Sequence, residues 1–308
     1  MPRRILIFSL FYYPRHVGGA EVAVKEITDR IPESKCQFDM VTIGTHGPAF
    51  ERVGNVNVYR VGPLWLNNTK IFGKFYKYLF ALTGFLKAIE LHKKNKYDAI
   101  WSIMANYAGF GALFFKNKFK DVLFILTLQE GDPLEYIEKR VGILKPLFKK
   151  IFKKADLIQA ISSYLGVWAK SMGYTREVVV IPNAVDFPLF ATRYNGDELS
   201  ALEEKFEKNS NDIFIITTSR LVKKNAVDVV IKSLSYLPKN FKFLILGVGD
   251  DEKKLKELTR KLNLEERVKF LGYVPHSEMP KYLQVSDVFT RPSRSEGLGN
   301  SFLEAMAS

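Results

Sequence analysis

The chain has 308 residues, 47% of them hydrophobic, with a formal net charge of +13 and a single cysteine, Cys36. That size and apolar content suffice for two buried α/β cores, while one cysteine excludes an intrachain disulfide or a thiolate metal cluster and fits a reducing compartment. The absence of an apolar run of eighteen residues excludes a transmembrane helix, and the excess of lysine and arginine leaves four partners open: nucleic acid, an anionic membrane, phosphorylated substrates, or water alone.

Ile5 to Tyr12 is a continuous apolar run behind a short basic start, which superficially matches a secretory leader. Pro14, Arg15, His16 and the pair Gly18-Gly19 follow without a small-residue cleavage site, so the run predicts a buried first strand. Ala20 to Ile27 then takes on helical spacing, and strand, glycine turn and helix together open a parallel α/β domain. Gly18 and Gly19 either bring backbone amides to a ligand at the strand's carboxyl end or make an ordinary tight turn. Phe38–Ile43 and Val56–Val61 predict further strands. From Asn68 to Lys96, Lys70, Lys74, Lys77 and Lys87 interleave with Phe72, Phe75, Tyr76, Tyr78, Phe80 and Phe85, and Arg140 to Lys154 sets Leu144, Leu147, Phe148, Ile151 and Phe152 on one helical face among lysines. Such basic amphipathic helices lie in the headgroups of an anionic bilayer or pack their apolar face on a sheet; both readings stay open.

Tyr97–Ile103 and Val122–Leu128 predict strands, and the second runs into Gln129 and Glu130, polar residues where a sheet's carboxyl edge would face a cleft. Asp156–Ile161 is a strand, Ser162 a cap for a helix ending at Met172, and Glu177–Ile181 a strand. Pro182 to Pro188 breaks all periodicity and polar residues 193–211 follow, which divides the chain into domains 1–185 and 186–308. The pattern restarts with a strand at Ile213–Thr218, a turn at Ser219–Asn225, and a helix carrying Val229, Val230, Leu234 and Leu237. Phe241–Leu246 enters Gly247-Val248-Gly249, followed by a helix with Leu255, Leu258 and Leu262 on one stripe, a strand at Arg267–Leu271, and Gly272 to Ser277. Two successive runs of this kind predict two Rossmann-like, parallel-sheet domains facing across a cleft.

The closing stretch joins a short strand at Ser286–Thr290 to a loop with Glu296, Gly297 and Gly299 and then a helix from Ser301 to Ala307. Glycines admit a close ligand, a helix start favours an anion, and two carboxylates, Glu296 and Glu304, flank the place. A nucleotide sugar, with a diphosphate between two sets of hydroxyls, fits that pattern.

These residues carry a resemblance to retaining glycosyltransferases of family 4, with the GT-B fold. Glu296-Gly-Leu-Gly-Asn-Ser-Phe-Leu-Glu304 resembles the family's Glu-x7-Glu signature, and Ser219 to Lys224 its phosphate-binding turn. Leu246 to Gly249 resembles the glycine turn, Val180 to Asp186 the linker, with Ala184 where glycine is usual, and Pro14 to Glu21 the opening. The resemblance implies hexose transfer from a UDP- or GDP-sugar to a glycan or lipid-linked acceptor on the cytoplasmic side of a membrane, an anionic membrane surface being a peripheral partner. No tightly bound cofactor and no nucleic acid are implied. It makes residues 1–185 the acceptor domain and 186–308 the donor domain. Arg220 and Lys224 would meet the departing diphosphate, Glu296 the sugar hydroxyls, and the amides of Leu298, Gly299 and Asn300 the β-phosphate. Glu304 would take the ribose, Gly272 to Pro275, with Val274, would line the base, and Gln129 and Glu130 would sit on the acceptor side. With no Asp-x-Asp triplet and four scattered histidines, the reaction reads as metal-independent.

Three departures matter. The family's lysine five positions after the arginine is here Asn225, so either Lys224 reaches over or the site has one cation fewer. Gln129 stands where many members place a histidine. The family continues past Glu304-Ala-Met-Ala into further strands and helices, so the second domain reads as incomplete. A nucleotide-sugar binder without turnover is the alternative, and a nucleic-acid-binding protein is disfavoured by the lack of any stacking or groove-reading motif.

Overall fold

The computed structural model describes residues 1–16, 18–44, 48–62 and 72–308, with residues 72–75 as backbone only. The chain divides into two compact units, Met1–Asn183 and Ala184–Ser308. Of the first basic segment, Asn68 and Lys70 and the side chains of Phe72, Lys74 and Phe75 lie outside the described residues.

The first unit is built on eight strands: β1 Arg3–Phe8, β2 Cys36–Ile43, β3 Phe50–Val53, β4 Val56–Val61, β5 Ala99–Ile103, β6 Leu123–Leu128, β7 Leu157–Ala160 and β8 Val178–Val180. They lie in the order β3-β4-β2-β1-β5-β6-β7-β8, all parallel except β3, which pairs antiparallel with β4 at the edge. Helices α1 Gly19–Arg30, α2 Phe72–Asn95, α3 Ala108–Lys118, α4 Leu134–Val141, α5 Lys145–Lys154 and α6 Ser163–Ser171 complete the unit. The central strands read as unbroken apolar runs because helices cover a parallel sheet on both faces, and Leu6, Ile7, Phe8, Phe124, Leu126 and Leu128 are fully buried. Ser162 caps α6 as expected, accepting from the Leu165 amide.

Three elements of this unit are absent from the sequence reading: α4, β3 and α3. Strand β3 carries Glu51 and Arg52 and leaves Phe50 exposed, which is what a solvated edge looks like. Helix α3 shows no period because it is buried almost all round, from Ala108 to Leu113 and at Phe115. A Cβ on its Gly109 would stand 3.1 Å from Ile151 of α5, and one on Gly111 3.3 Å from Phe8 and from the Ala81 carbonyl, so both glycines allow close packing. The apolar stripe of α5 is spent inside the unit: Phe148, Ile151 and Phe152 are fully buried, with Phe152 5.1 Å from the Trp168 ring. Burial of three such side chains stabilises by roughly 1.5–3 kcal/mol each. The exception is Leu144, predicted on the same stripe but exposed beside Ile143, because a 3₁₀ turn at Gly142–Leu144 breaks the helix before α5.

The second unit has four parallel strands, β9 Ile213–Thr218, β10 Phe241–Leu246, β11 Val268–Gly272 and β12 Val288–Phe289, in the order β11-β10-β9-β12. Its helices are α7 Phe187–Phe190, α8 Gly196–Lys205, α9 Val227–Ser233, α10 Glu252–Lys261, α11 Met279–Gln284 and α12 Asn300–Ala307. Strand β9 alternates between two cores: Ile215 packs with Val227, Ile231 and Phe243, and Phe214 and Ile216 with Phe190, Leu244 and Val274. The segment read as polar connection, 193–211, contains α8, capped by Asn195 on the Glu198 amide at 2.8 Å. Its polar composition hid a helix whose apolar side is narrow, with Leu202 as its contribution to the core. On α9 the buried positions are Val227, Val230 and Ile231, and Val229 is exposed.

Candidate functional site

In an open α/β sheet the ligand crevice lies beyond the strands' carboxyl ends, where strand order reverses. In the second unit that point falls between β9 and β12, since β9 leads leftward to β10 and β11 while the chain returns to its other side for β12. The loop leaving β9 holds Arg220, Lys224 and Asn225, and the loop leaving β12 holds Arg291 through Gly299, with Asn300 opening α12.

Arg291 joins the two loops. Its guanidinium donates to the Ser301 hydroxyl at 2.8 Å, to Asn225 Oδ1 at 3.0 Å and to Glu296 Oε2 at 2.8 Å. Asn225, only 2% exposed, also donates from Nδ2 to the Arg220 carbonyl at 2.7 Å. The departure at position 225 is thereby explained: the asparagine supports the turn and receives a guanidinium rather than presenting a cation. Sequence reasoning missed Arg291, and the signal available was an arginine directly after a strand too short to bury it. Burial pushes the Arg291 pKa down, partly countered by Glu296, and the neighbouring Arg220 pushes it further down. The Arg291 guanidinium is therefore held in a partly dehydrated place on the Glu296 carboxylate, while Arg220 on the loop leaving β9 is exposed.

The surrounding loops are fastened to one another. Arg294 donates its amide to the Lys224 carbonyl at 2.7 Å and its guanidinium to Asp228 at 2.8 Å, which pins the turn carrying Lys224. Leu221 N–H donates to the Val248 carbonyl at 3.0 Å, and Gly247 N–H to the Gly272 carbonyl at 2.7 Å. A Cβ on Gly247, whose φ is +137°, would collide with the Ser219 carbonyl, and one on Gly249 with the Leu221 backbone. These two glycines are thus required by the approach of the turn itself. Above Arg291, a Cβ on Gly299 would stand 3.0 Å from its guanidinium. Leu298 and Asn300 follow the same loop into α12. Val274 turns its side chain into the core, while its neighbours Tyr273 and Pro275 are exposed. Glu304 in α12 bonds His276 Nε2 at 3.0 Å, and this contact raises the imidazole pKa. Buried and unpartnered polar atoms gather at this edge: Thr218 Oγ1, Ser219 Oγ, Arg291 Nε and Ser293 Oγ.

In the first unit the order reverses between β1 and β5. Gly18 and Gly19 follow β1 and begin α1, whose first amides have no side-chain cap. Glu130 follows β6 and is 5% exposed, and its Oε1 accepts the Ala105 amide at 2.8 Å beyond β5. Burial raises its pKa to about 7, against the lowering effect of that amide. Gln129 Oε1 and Glu130 Oε2 are buried without partners. Among the described residues, no group of three or more histidine, cysteine or acidic side chains gathers to hold a metal.

Comparison with known proteins decides the family. The profile described as Glycosyltransferase Family 4 matches residues 17–187, more than half of the chain, and the one described as Glycosyl transferases group 1 matches residues 200–308. The chain belongs to glycosyltransferase family 4. An uncharacterised glycosyltransferase of Methanocaldococcus jannaschii is 27% identical over 98% of this chain and 78% of its own length. The alpha-monoglucosyldiacylglycerol synthase of Streptococcus pneumoniae is 24% identical over 99% of this chain and 69% of its own. Among solved structures, Anabaena HepE in complex with UDP-glucose superposes with a TM-score of 0.75 at 19% identity, over 99% of this chain and 78% of that one. The last likeness carries the fold, GT-B with Rossmann-like domains.

Proposed function

We propose that this family 4 glycosyltransferase moves a hexose from a UDP- or GDP-sugar to a hydroxyl of a glycan or lipid-linked acceptor, keeping the anomeric configuration. The observation that carries the reading is Arg291, held on Glu296, Asn225 and Ser301 where the loops leaving β9 and β12 meet, with Arg220 on the first of those loops. Support for the donor class comes from the UDP-glucose bound by Anabaena HepE, and for a lipid-linked acceptor from the diacylglycerol product in the pneumococcal relative's name. In this reading residues 186–308 hold the donor and residues 1–185 the acceptor. Arg220, Lys224 and Arg291 meet the diphosphate together with the amides of Leu298, Gly299 and Asn300, and the glycines at 247 and 249 let the turn carrying Arg220 pack close beneath it. Glu296, oriented by Arg291, takes sugar hydroxyls. Glu304 takes the ribose and the Gly272–Pro275 backbone the base, while Gly18, Gly19, Gln129 and Glu130 face the acceptor.

The bond from the anomeric carbon to the diphosphate oxygen breaks and the acceptor oxygen bonds the same carbon from the same face. The acceptor's proton passes to the departing diphosphate, so no separate base is required and Gln129 is compatible with turnover. Negative charge grows on the leaving oxygen as the bond breaks, so fixed guanidinium groups stabilise the transition state more than the ground state. Arg220→Ala or Glu296→Gln should cost roughly 100-fold or more in turnover. A panel of UDP-, GDP- and ADP-sugars, scored for diphosphate release with and without acceptor glycolipids, tests this. Release from none of them, with no binding at millimolar diphosphate, would sink the proposal. Gln129, standing where the family resemblance places a histidine, favours a nucleotide-sugar binder as the second reading, and saturable binding without turnover selects it.

We also place the working site at the cytoplasmic face of an anionic membrane, as a peripheral contact. No helix among the described residues is long and apolar enough to cross a bilayer. What α5 leaves outside is Lys145, Lys149, Lys150 and Lys153 around a shallow groove, next to Ile143 at 96% exposure. Co-sedimentation with vesicles containing anionic lipid, but not with neutral ones, is the expected result.

A further inference from the structure

We propose that Lys77 and Arg140 form a subsite in the first unit for a phosphate or diphosphate group of the acceptor, walled by Phe11, Tyr78, Tyr107 and Tyr136. This rests on the transferase reading and names its acceptor class. Four segments at the strands' carboxyl ends converge here: Phe11 follows β1, Lys77 and Tyr78 lie early in α2, Tyr107 precedes α3, and Tyr136 and Arg140 belong to α4. The Arg140 guanidinium stands 5.5 Å from the Tyr107 ring and 5.3 Å from the Tyr136 ring. Lys77 Nζ lies 5.4 Å from the Phe11 ring, and Tyr78 packs edge-on against Tyr107 at 5.1 Å.

What the cluster lacks is negative charge. Neither Lys77 nor Arg140 makes an ion pair or hydrogen bond among the described residues, and Arg140 Nε is buried without a partner. Burial and the neighbouring Arg140 both lower the Lys77 pKa. Glu138, two places before Arg140, is already taken by Lys145 at 2.7 Å and by the Trp168 indole at 3.2 Å. The stretches of this unit outside the description, Val17, 45–47 and 63–71, contain no aspartate or glutamate to neutralise the pair. Tyr107 moreover holds φ at +46°, a conformation ordinarily left to glycine, so the ring is placed at a cost in backbone strain. Ring faces attract cations but do not replace lost hydration, whereas a phosphate would, taking the guanidinium fork by two oxygens and the ammonium as a point charge.

The phosphate could belong to a lipid phosphate or to a soluble sugar phosphate, and the probes distinguish them. With UDP saturating the second unit, farnesyl phosphate, farnesol and glucose 1-phosphate are titrated calorimetrically into the full chain and into Arg140→Gln, Lys77→Gln and Arg140→Lys. We expect farnesyl phosphate to bind at least about tenfold more tightly than farnesol, and each glutamine variant to weaken it about tenfold or more, with Arg140→Lys in between. Glucose 1-phosphate binding as tightly as farnesyl phosphate would assign the site to soluble phosphates, and weaker binding to lipid phosphates. Because the two cations repel, neither glutamine variant should lower the melting temperature without ligand. Equal binding of farnesol and farnesyl phosphate, wild-type phosphate binding by both glutamine variants, or lowered melting of both would overturn the subsite. Failure of the wild type to bind UDP would instead remove the transferase reading, and the phosphate titrations without UDP would still decide the subsite.

Discussion

Replacing Arg291 by methionine keeps the length of the buried stem and removes the guanidinium. Three donated bonds disappear, to Ser301, Asn225 and Glu296. The Ser301 hydroxyl can rotate, and Glu296, with 24% of its side chain exposed, partly rehydrates, so both are discounted. Asn225 Oδ1 stays buried with no donor, which costs about 1–3 kcal/mol, offset in part by relief of the desolvated guanidinium that the lowered pKa reports. A net loss of about 1–2 kcal/mol lowers the melting temperature of a unit of this size by roughly 4–8 °C. The effect on transfer is larger, roughly 100- to 1,000-fold in kcat, if Arg291 faces the departing diphosphate and orients Glu296. Lysine at 291 keeps the charge but not the fork and should recover only part of either loss. The assay is thermal unfolding alongside turnover of the donor selected by the sugar panel. A methionine variant with wild-type melting and wild-type kcat refutes the role given to this side chain.

Gly249→Ala should destabilise the second unit by about 1–3 kcal/mol, because the new methyl must displace the Leu221 backbone, whereas Gly272→Ala, open around its Cβ, should cost only about 1 kcal/mol for its φ of +70°. Comparable melting of the two variants contradicts that distinction. Glu130 keeps its proton in the folded chain up to about 7, whereas the unfolded chain releases it near the ordinary 4.5. Its contribution is therefore full below the unfolded value and declines as pH rises to about 7, by about 3 kcal/mol in all. Glu130→Gln should accordingly gain on the wild type between pH 5 and pH 8 in urea unfolding, and a gap independent of pH argues against a buried neutral acid. His276 has its pKa raised by Glu304, so the pair stabilises at pH below the imidazole's unfolded value and loses that contribution as pH rises through the folded one. NMR titration should find the His276 pKa lower in Glu304→Gln, and an unchanged value would remove the contact from the account.

The strands of both sheets and the glycine turns were legible because parallel strands buried on two faces must be apolar and close turns must be glycine. Edge strand β3 was not, since a solvated edge carries charge, nor was α3, since a helix buried all round loses its period. For the same reason the lysine-rich helix α5 was ambiguous in sequence: periodicity identifies an apolar face but not what covers it, and only the packing of Phe148, Ile151 and Phe152 gives the answer. At the carboxyl edge of β9 and β12, Glu296, Glu304 and Arg220 were singled out by resemblance to a family motif. Arg291 does not, because its place depends on Asn225, sixty-six residues away in sequence and 3.0 Å away in the fold.

The central claim is that the carboxyl edge of β9 and β12 holds a nucleoside diphosphate, and calorimetric titration of UDP and GDP into the chain addresses it most directly. The account predicts saturable binding of one of them that weakens about tenfold or more in Arg220→Ala and in Arg291→Met, with Arg140→Gln unaffected. Absence of binding to either at millimolar concentration, or binding that both the Arg220 and the Arg291 variants leave intact, contradicts it.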